Sequence, residues 1–367
     1  MKEYIKKNII NFKGKKINKK LLIIESDDWG SIRIPNNEVK KYLAQENLIK
    51  LSDPFSSFDC LESADDYLEL FKVFSKHKDI NNNHPVLTVN MVMANPDFEK
   101  IKAANYNQFF IQLFTDTYKS YYPSSPTFEV LMNGVKQKFL FPQFHAREHL
   151  NASLWLKRLQ DGDVGFLKAF EKKCFAIDDK SYENNRANLM ASYDYQNDED
   201  LIYIQDSIQN GLKIFEQTFG FPSKTSIAPC YVWNDNIEKT LHENGVAGIQ
   251  GSYVQQCNKK GKHERIWQKM GKVNKLNQKY FIRNVMFEPA LNPNINWVEK
   301  ALESIAIAFF WGKPAIISSH RINYVASLSN ENRTNTLQQL DELLQCVLKR
   351  WPDIEFINSE QLLILYS

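Results

Sequence analysis

The stretch LLIIESDDWGSIRIP, from Leu21 to Pro35, decides the fold. Four large aliphatic residues, typical of a buried strand, are followed at once by Glu25-Ser26-Asp27-Asp28. Two adjacent carboxylates repel each other, and the burial of either one is costly without a positive partner. The end of this strand therefore either faces water or lies against a cation.

The rest of the chain alternates strand-like and helix-like segments. In the segment Asp198–Phe219 the apolar residues recur at three- and four-residue steps, which predicts a helix, whereas residues 84–98 read as a strand. Repeated alternation of this kind predicts an α/β fold with a parallel sheet, open or closed into a barrel. In such folds the chemistry lies at the carboxyl ends of the strands.

Length and composition favour a single large domain. The chain has 367 residues, 43% of them hydrophobic, and no Gly/Ser-rich or Pro-rich linker divides it. We expect residues 20–367 to form one domain, preceded by a basic arm of residues 1–19. Residues 94–138 are rich in Tyr, Phe, Asn and Ser and have weak periodicity. They read as an insertion, either a substrate-binding flap or a longer crossover.

The cellular location is predicted from the start of the chain and from its cysteines. The Lys-rich start lacks the contiguous apolar stretch of a secretory signal, and no apolar run is long enough to span a membrane. The 5 cysteines are scattered without a CxxC pair, which argues against a disulfide framework. We expect a cytoplasmic protein, in which the basic arm is either solvated or in peripheral contact with the inner membrane surface. No motif indicates nucleic-acid binding.

Polar clusters follow the apolar segments at three places. They are Asp27-Asp28, the HAREH stretch with His145 and His149, and Ser318-Ser319-His320. Because the strand ends of a parallel sheet meet at one edge, we expect these clusters to share a site. On a helix-like turn, two imidazoles four residues apart face the same way, and with one carboxylate they suit zinc or a similar cation. The alternative is a chance pair of hydrogen-bonded histidines. Beside a metal, His320 would serve as a general acid rather than as a packed core residue.

The stretch SIAPCYVWN, residues 226–234, places Pro229 after a short strand. Backbone N–H groups just after such a proline can point into a cleft as oxyanion donors. Tyr231 and Trp233 could form a flat apolar wall for a sugar ring. The alternative is that the aromatic residues here lie in the core beneath a loop.

In this order the clusters resemble the polysaccharide deacetylase family, the carbohydrate esterases with a NodB-homology domain. The resemblance covers roughly residues 20–356. It rests on four short stretches, Ser26-Asp27-Asp28-Trp29-Gly30, His145-Ala146-Arg147-Glu148-His149, Ile227-Ala228-Pro229-Cys230-Tyr231 and Ile316-Ile317-Ser318-Ser319-His320. It implies a distorted (β/α)7 barrel of the polysaccharide deacetylase type, with an insertion between the first two motifs.

The resemblance also implies an activity and residue roles. The chain would be a metal-dependent hydrolase that removes N- or O-linked acetyl groups from a carbohydrate or glycan precursor. Asp27 would be the catalytic base and His320 the general acid. Asp28, His145 and His149 would hold the divalent metal, most simply zinc. Substrate or oxyanion contacts would come from Pro229, Cys230, Tyr231 and Trp29.

The sequence departs from the family pattern at two points. Ile227 stands where the family has the arginine that orients the base, so Arg147, Arg283 or Arg321 would have to replace it. No convincing fourth motif is present; Gly251-Ser252-Tyr253 occupies its place. Two other functions therefore stay open. One is a catalytically inactive carbohydrate-binding protein on the same fold, and the other is a zinc peptidase of the HxxEH type with Glu148 as its base.

Overall fold

The computed structural model describes residues 2–178, 189–260 and 262–366. Its strands are β1 (Leu21–Trp29), β2 (Leu87–Val92), β3 (Ala94–Pro96), β4 (Ile111–Leu113), β5 (Leu140–Ala146), β6 (Thr225–Ile227), β7 (Gly248–Gly251), β8 (Val254–Lys259), β9 (Lys262–Trp267), β10 (Lys279–Ile282), β11 (Val285–Met286), β12 (Ala315–His320) and β13 (Glu355–Phe356). Its α-helices are α1 (Lys2–Phe12), α2 (Asn37–Gln45), α3 (Pro54–Phe58), α4 (Ala64–Phe74), α5 (Phe98–Ala103), α6 (Phe114–Tyr121), α7 (Thr127–Lys136), α8 (Ala152–Gln160), α9 (Val164–Glu171), α10 (Asp198–Phe219), α11 (Asp235–Glu243), α12 (Trp297–Phe310), α13 (Asn330–Arg350) and α14 (Ser359–Leu365).

A 9-stranded sheet forms the centre of the molecule, in the order β10-β7-β6-β5-β2-β1-β12-β11, with β13 paired to the start of β1. Its strand pairings are parallel. The two outer strands, β10 and β11, are consecutive in the chain, and only Arg283 and Asn284 separate them. Because this connector spans at most about 11 Å, the sheet must curl until its two edges nearly meet. The predicted α/β fold with a distorted barrel is thereby confirmed.

The longest helix follows the sequence prediction. Asn197 caps α10 by accepting a hydrogen bond from the backbone N–H of Asp200, and Gly220 ends it with a left-handed φ of 80°. Its buried residues recur every three or four positions, as one face of a helix requires. They include Ile204, Ile208, Leu212, Phe215 and Phe219. This face packs on β5, the strand that carries His145.

Residues 94–138 fold into short regular elements between β2 and β5. The strands β3 and β4 pair antiparallel, and α5, α6 and α7 complete the segment. Its aromatic and aliphatic side chains reach the core at Phe114 and Leu131, both fully buried. Elements of 3 to 10 residues are too short to give the sequence a clear period, which explains the weak pattern. The division of the chain into an arm and one domain stays a prediction.

The basic N-terminal segment contains helix α1, which lies against α12. Lys7 forms an ion pair of 2.5 Å with Glu303, and the indole N–H of Trp311 donates to Asn8 over 2.9 Å. The outer face of α1 exposes four large side chains, Tyr4, Ile5, Ile9 and Phe12. Within the described part of the chain, none of the helices has both the length and the apolar character needed to cross a membrane.

Candidate metal centre

A break in strand β1 turns both Asp27 and Asp28 into one cavity. Adjacent residues of a regular strand point to opposite faces of the sheet. At Asp28 the backbone takes a left-handed φ of 76°, and the pairing of β1 with β2 shifts register between Ser26 and Trp29. An irregularity of this kind re-aims side chains. It allows neighbouring carboxylates to line the same cavity.

A second irregularity, in the pairing of β2 with β5, positions the histidines. In the pairing of β2 with β5, Met91 lies opposite Phe144 and Val92 opposite Ala146, which leaves His145 as an extra residue. His149 lies beyond the end of β5, in a bend. The ring centres of His145 and His149 are 4.9 Å apart. The expectation that HAREH forms a helix-like turn is therefore wrong, because a strand bulge and a bend bring the two rings together.

Asp28, His145 and His149 have the spacing of a metal triad. Their ligand atoms all lie within 4.8 Å of one another, and the three residues are buried. Asp28 Oδ1 is 3.5 Å from His145 Nε2 and 3.3 Å from His149 Nε2. Tetrahedral coordination with bonds of about 2.1 Å separates ligand atoms by about 3.4 Å. The two distances from Asp28 Oδ1 thus match the separation that a common zinc ion would impose.

Hydrogen bonding and electrostatics prepare the triad for a cation. His145 Nδ1 donates to the carbonyl of Ile227 over 2.8 Å, which leaves Nε2 free to bind a metal. Burial lowers the pKa of His149 to about 4, against the opposing charge of Asp28. Burial would raise the pKa of Asp28, but His149, His145 and His320 together lower it well below its usual range. Neutral imidazole and ionised carboxylate are the forms that bind metal.

Arg283 is the arginine that holds Asp27. Its Nη1 and Nη2 donate to the two oxygens of Asp27 over 2.6 and 2.7 Å, and its Nε donates to Glu25 over 2.6 Å. Burial would raise the pKa of Asp27, but the charge and hydrogen bonds of Arg283 lower it to about 2. Asn90 adds a hydrogen bond of 2.8 Å to the same carboxylate. Asp27 is therefore ionised and fixed in orientation.

The other two arginines considered from the sequence serve different partners. Arg321 donates to Asp59 and Glu62 over 2.9 and 3.0 Å, in a buried cluster behind the turn that follows β1. Arg147 donates to Glu148 over 2.6 and 3.0 Å. Neither hydrogen-bonds to Asp27, so of the three candidates only Arg283 takes the position of the missing arginine.

Glu148 faces helix α10 rather than the metal triad. Its carboxylate accepts hydrogen bonds from Tyr203 over 2.8 Å and from Ser207 over 3.1 Å, besides those from Arg147. A peptidase base would have to face a water molecule at the metal. This arrangement speaks against the HxxEH alternative and gives Glu148 a structural role.

His320 lies beside Asp27 and is paired with a glutamate that sequence reasoning missed. In the sheet register Asp27 stands opposite His320, and their side chains approach to 3.8 Å. His320 Nδ1 donates to Glu288 over 2.6 Å, and Asn323 holds the other oxygen of Glu288 over 2.6 Å. Burial would lower the pKa of His320, but the charge and hydrogen bond of Glu288 raise it well above its usual value. In the sequence, the one available indication of this role was that Glu288, an acidic residue, lies just past the short apolar strand β11.

The stretch that contains Pro229 partly reaches the cavity. Cys230 and Tyr231 line it, whereas Pro229 is buried and opens a short 3-10 turn. Cys230 and Tyr231 have left-handed φ values of 54° and 57°, so the chain turns sharply here. Their roles in substrate or oxyanion binding stay predictions.

Trp29 does not line the cavity, and its predicted role in substrate binding is wrong. Its side chain is fully buried, and its indole N–H donates to Ser26 over 2.9 Å. The ring stacks on Tyr67 and Tyr324, at centroid distances of 5.2 and 6.1 Å. Trp29 is therefore a core residue that anchors the end of β1.

The cavity that holds these groups is small. Its volume is about 250 Å³, and it is lined by Asp27, Asp28, Arg33, Phe55, His145, His149, Met190, Ala228, Cys230, Tyr231 and His320. A second cavity, of about 700 Å³, begins at Ile32, next in the chain to Arg33, and has aromatic walls at Phe98, Tyr121 and Tyr122. The metal triad, the Asp27–Arg283 pair and the His320–Glu288 pair thus meet at the smaller of the two cavities.

Comparisons with known proteins give distant likenesses to solved structures. No family model matches the chain, and no curated protein does. A probable polysaccharide deacetylase from Pseudomonas aeruginosa aligns at 10% identity over 94% of this chain and 89% of its own, with a TM-score of 0.45. A putative polysaccharide deacetylase from Mycobacterium smegmatis aligns at 10% identity over 96% and 92%, with a TM-score of 0.42.

A further solved structure is a 4-alpha-glucanotransferase from Thermococcus litoralis, at 10% identity over 95% of this chain and a TM-score of 0.47. The present chain spans only 40% of the length of that protein. These likenesses concern the course of the chain alone.

Proposed function

We propose that this chain is a metal-dependent hydrolase that removes acetyl groups from a carbohydrate or glycan precursor. The observation that carries the proposal is the convergence of three differently prepared groups on one cavity. They are the Asp28–His145–His149 triad, the ionised Asp27 held by Arg283, and the protonated His320 held by Glu288. Together they supply what hydrolysis of an amide or ester needs, namely a cation site, a base and an acid.

Each group has a defined part in the reaction. Asp28, His145 and His149 would hold a cation, zinc by its donor set, which would supply Lewis-acid polarisation of the acetyl carbonyl and of a water molecule. Asp27 accepts the proton of the attacking water. Its pKa of about 2 makes it a weak base, which suits a water whose own pKa a cation in the triad would lower. His320 then donates its proton to the departing amine or alcohol of the sugar.

The inactive alternative rested on the missing arginine. Arg283 supplies Asp27 with a bidentate arginine from another part of the chain, which removes that reason. The backbone N–H groups after Pro229 are the proposed oxyanion donors, with Tyr231 as a wall of the sugar site. For an N-linked acetyl group the atom that His320 protonates is the amine nitrogen, and for an O-linked group it is the alcohol oxygen.

Acetate release is the deciding experiment. Purified protein, assayed for metal content and then loaded with zinc, is incubated with a panel of N- and O-acetylated sugars and oligosaccharides. We expect release that disappears after EDTA treatment and returns with zinc. Asp27→Asn is the matched variant, since it keeps the metal triad and removes the base. Stoichiometric metal without acetate release from any sugar would contradict the proposal.

Cytoplasmic location and peripheral membrane contact stay predictions. The side chains of Ile5, Ile9 and Phe12 are half or more exposed on α1, beside lysines of the same segment. Apolar side chains flanked by lysines favour an anionic bilayer surface. Cosedimentation with vesicles that contain phosphatidylserine, compared with neutral vesicles, tests the contact.

A further inference from the structure

Arg33 reaches the metal cavity with unused hydrogen-bonding capacity. It lines the cavity beside Asp28 and His149, and its side chain is only 18% exposed. Its guanidinium carbon stacks 4.8 Å from the centre of the Phe55 ring. Its buried Nε has no hydrogen-bond partner among the described residues. An aromatic ring therefore holds the guanidinium in place, but within the described part of the chain no acceptor satisfies its Nε.

The neighbouring carboxylate is already engaged. Asp59 Oδ2 lies 4.0 Å from Arg33 Nε, which is too far for a hydrogen bond. The other oxygen of Asp59 accepts two hydrogen bonds from Arg321, over 2.9 and 3.1 Å. A buried donor left unpaired costs free energy, which an acceptor on a ligand would recover. Arg283 and Arg321, the fully buried arginines of this region, are by contrast saturated with carboxylates.

The position of Arg33 relative to the reacting groups indicates what would satisfy it. Phe55 packs edge-on against His320, with ring centres 5.4 Å apart, and carries Arg33 on its face. Arg33 and His320 thus flank the same ring. The charge of Arg33 also acts on His149, so it repels a cation in the triad. An anion between Arg33 and the triad would offset this repulsion.

We propose that Arg33 binds an anionic group, a carboxylate or a phosphate, on the acetylated sugar, and so selects acidic sugars as substrates. The inference rests on the proposed deacetylase function and narrows its substrate class. A guanidinium presents a planar fork that pairs with two oxygens of a carboxylate or phosphate, and stacking on an aromatic ring fixes the fork. A neutral sugar would leave this fork unpaired.

Kinetics on matched sugars test the selection. The panel is N-acetylglucosamine, its C6 uronic acid, and its 1- and 6-phosphates. We expect at least one anionic sugar to exceed the neutral sugar about 10- to 100-fold in kcat/KM, as a charge-assisted hydrogen bond allows. Arg33→Gln should abolish that preference, mainly by raising KM for the anionic sugar about 10- to 100-fold. The comparison of kcat/KM for the uronic acid with that for the two sugar phosphates shows which anion is bound.

Two further variants separate recognition from structure. Arg33→Lys keeps the charge without the fork, so it should retain part of the preference for a phosphate and less for a carboxylate. Arg350→Gln is the matched control, since that guanidinium also stacks on an aromatic ring, 4.9 Å from Trp351, but does not line the cavity. Its preference should equal that of the wild type.

A binding measurement that needs no turnover keeps the two proposals apart. Inorganic phosphate is titrated calorimetrically into EDTA-treated wild type, Arg33→Gln and Arg350→Gln. We expect affinity to fall at least about 10-fold in Arg33→Gln alone. Equal affinities, or equal turnover of neutral and anionic sugars by wild type and Arg33→Gln, would overturn the role of Arg33 and leave the deacetylase function standing. Arg33-dependent phosphate binding without any acetate release would support the role of Arg33 and overturn the deacetylase function.

Discussion

Arg283 binds Asp27 through two hydrogen bonds of 2.6 and 2.7 Å from the short connector where the two edges of the curled sheet meet. The two residues are 256 positions apart in the chain. Asp27 lies on β1, in the interior of the strand order, and Arg283 lies between the two outermost strands. Curling of the sheet is what brings the connector over the carboxyl end of β1.

Replacement of Arg283 should remove both stability and turnover. In Arg283→Gln the buried carboxylates of Asp27 and Glu25 lose their shared cation, so the free energy of unfolding should fall by about 3–5 kcal/mol. Arg283→Lys keeps a charge but not the fork, so it should fold better and still lose about 100-fold in kcat/KM. Denaturant titration, metal analysis and acetate release measure the three quantities. Wild-type turnover in Arg283→Lys would show that the fork does not orient Asp27.

The pH dependence should report the pair of His320 and Glu288. Glu288 raises the pKa of His320 well above its ordinary value of 6.5, so the protonated acid persists to higher pH than in a free imidazole. Glu288→Gln should move the alkaline limb of the kcat/KM profile to lower pH. Glu299→Gln, an exposed glutamate on α12, should leave the profile in place.

The same pair predicts a stability change with a definite sign. Because the folded-state pKa of His320 is raised, its stabilising contribution is complete below pH 6.5 and is lost as the pH rises through the raised value. The difference in unfolding free energy between wild type and Glu288→Gln should therefore be largest in mild acid and shrink in alkali. A constant difference across the range would mean that Glu288 stabilises the fold without protonating His320.

Metal binding should separate the triad from the base. His149→Ala should lose stoichiometric zinc, whereas Asp27→Asn should keep it and lose turnover. Zinc at 100 times its Kd should stabilise the wild type by roughly 2.7 kcal/mol, since a ligand of the folded state shifts the unfolding equilibrium. Thermal melting with and without zinc detects this shift. A zinc-induced rise in Tm that survives in His149→Ala would place the metal elsewhere.

Glu148→Gln tests the structural role of that glutamate. The change weakens the acceptor of hydrogen bonds from Arg147, Tyr203 and Ser207, so we expect a loss of about 1–3 kcal/mol in stability. Acetate release per folded molecule should stay within a few-fold of the wild type. A loss of activity with unchanged stability would instead support a catalytic role for Glu148.

Gly30 should be irreplaceable at the turn after β1. It has a left-handed φ of +85°, and a Cβ atom there would lie 2.5 Å from the carbonyl oxygen of Val92. Gly30→Ala should cost more than the roughly 1 kcal/mol of left-handed strain alone, and should lower metal affinity through Asp28. Gly162→Ala is the control, since its φ is +74° and nothing lies within 4 Å of the added atom. Equal losses in the two variants would mean that the contact with Val92 relaxes freely.

The sequence was sufficient where the signal is local. The period of apolar residues in α10 and the aliphatic run of β1 each predict one element, and both elements are present. Asp27-Asp28, His145 and His320 stood out because each follows an apolar strand. Their convergence followed from a general property of parallel sheets, that the carboxyl ends of the strands meet at one edge.

What the sequence could not supply depends on irregular backbone and distant pairing. Alternation along β1 would place Trp29 on the face of Asp27, but the left-handed residue Asp28 turns Trp29 into the core. No local pattern in the sequence indicates the bulge at His145 either. Arg283 and Glu288 lie far along the chain from the side chains they hold at one end of the sheet, so only the curled sheet reveals them.

The connector between β10 and β11 has a consequence for protein engineering. Transplanting the motifs of β1, β5 and β12 onto another parallel barrel would reproduce the histidines and aspartates and still leave Asp27 without its counter-ion. Arg283 and Asn284, the two residues of that connector, would have to be transplanted together with β1. Conversely, a loop graft at residues 283–284, far from every motif in sequence, would silence the site while leaving each motif intact.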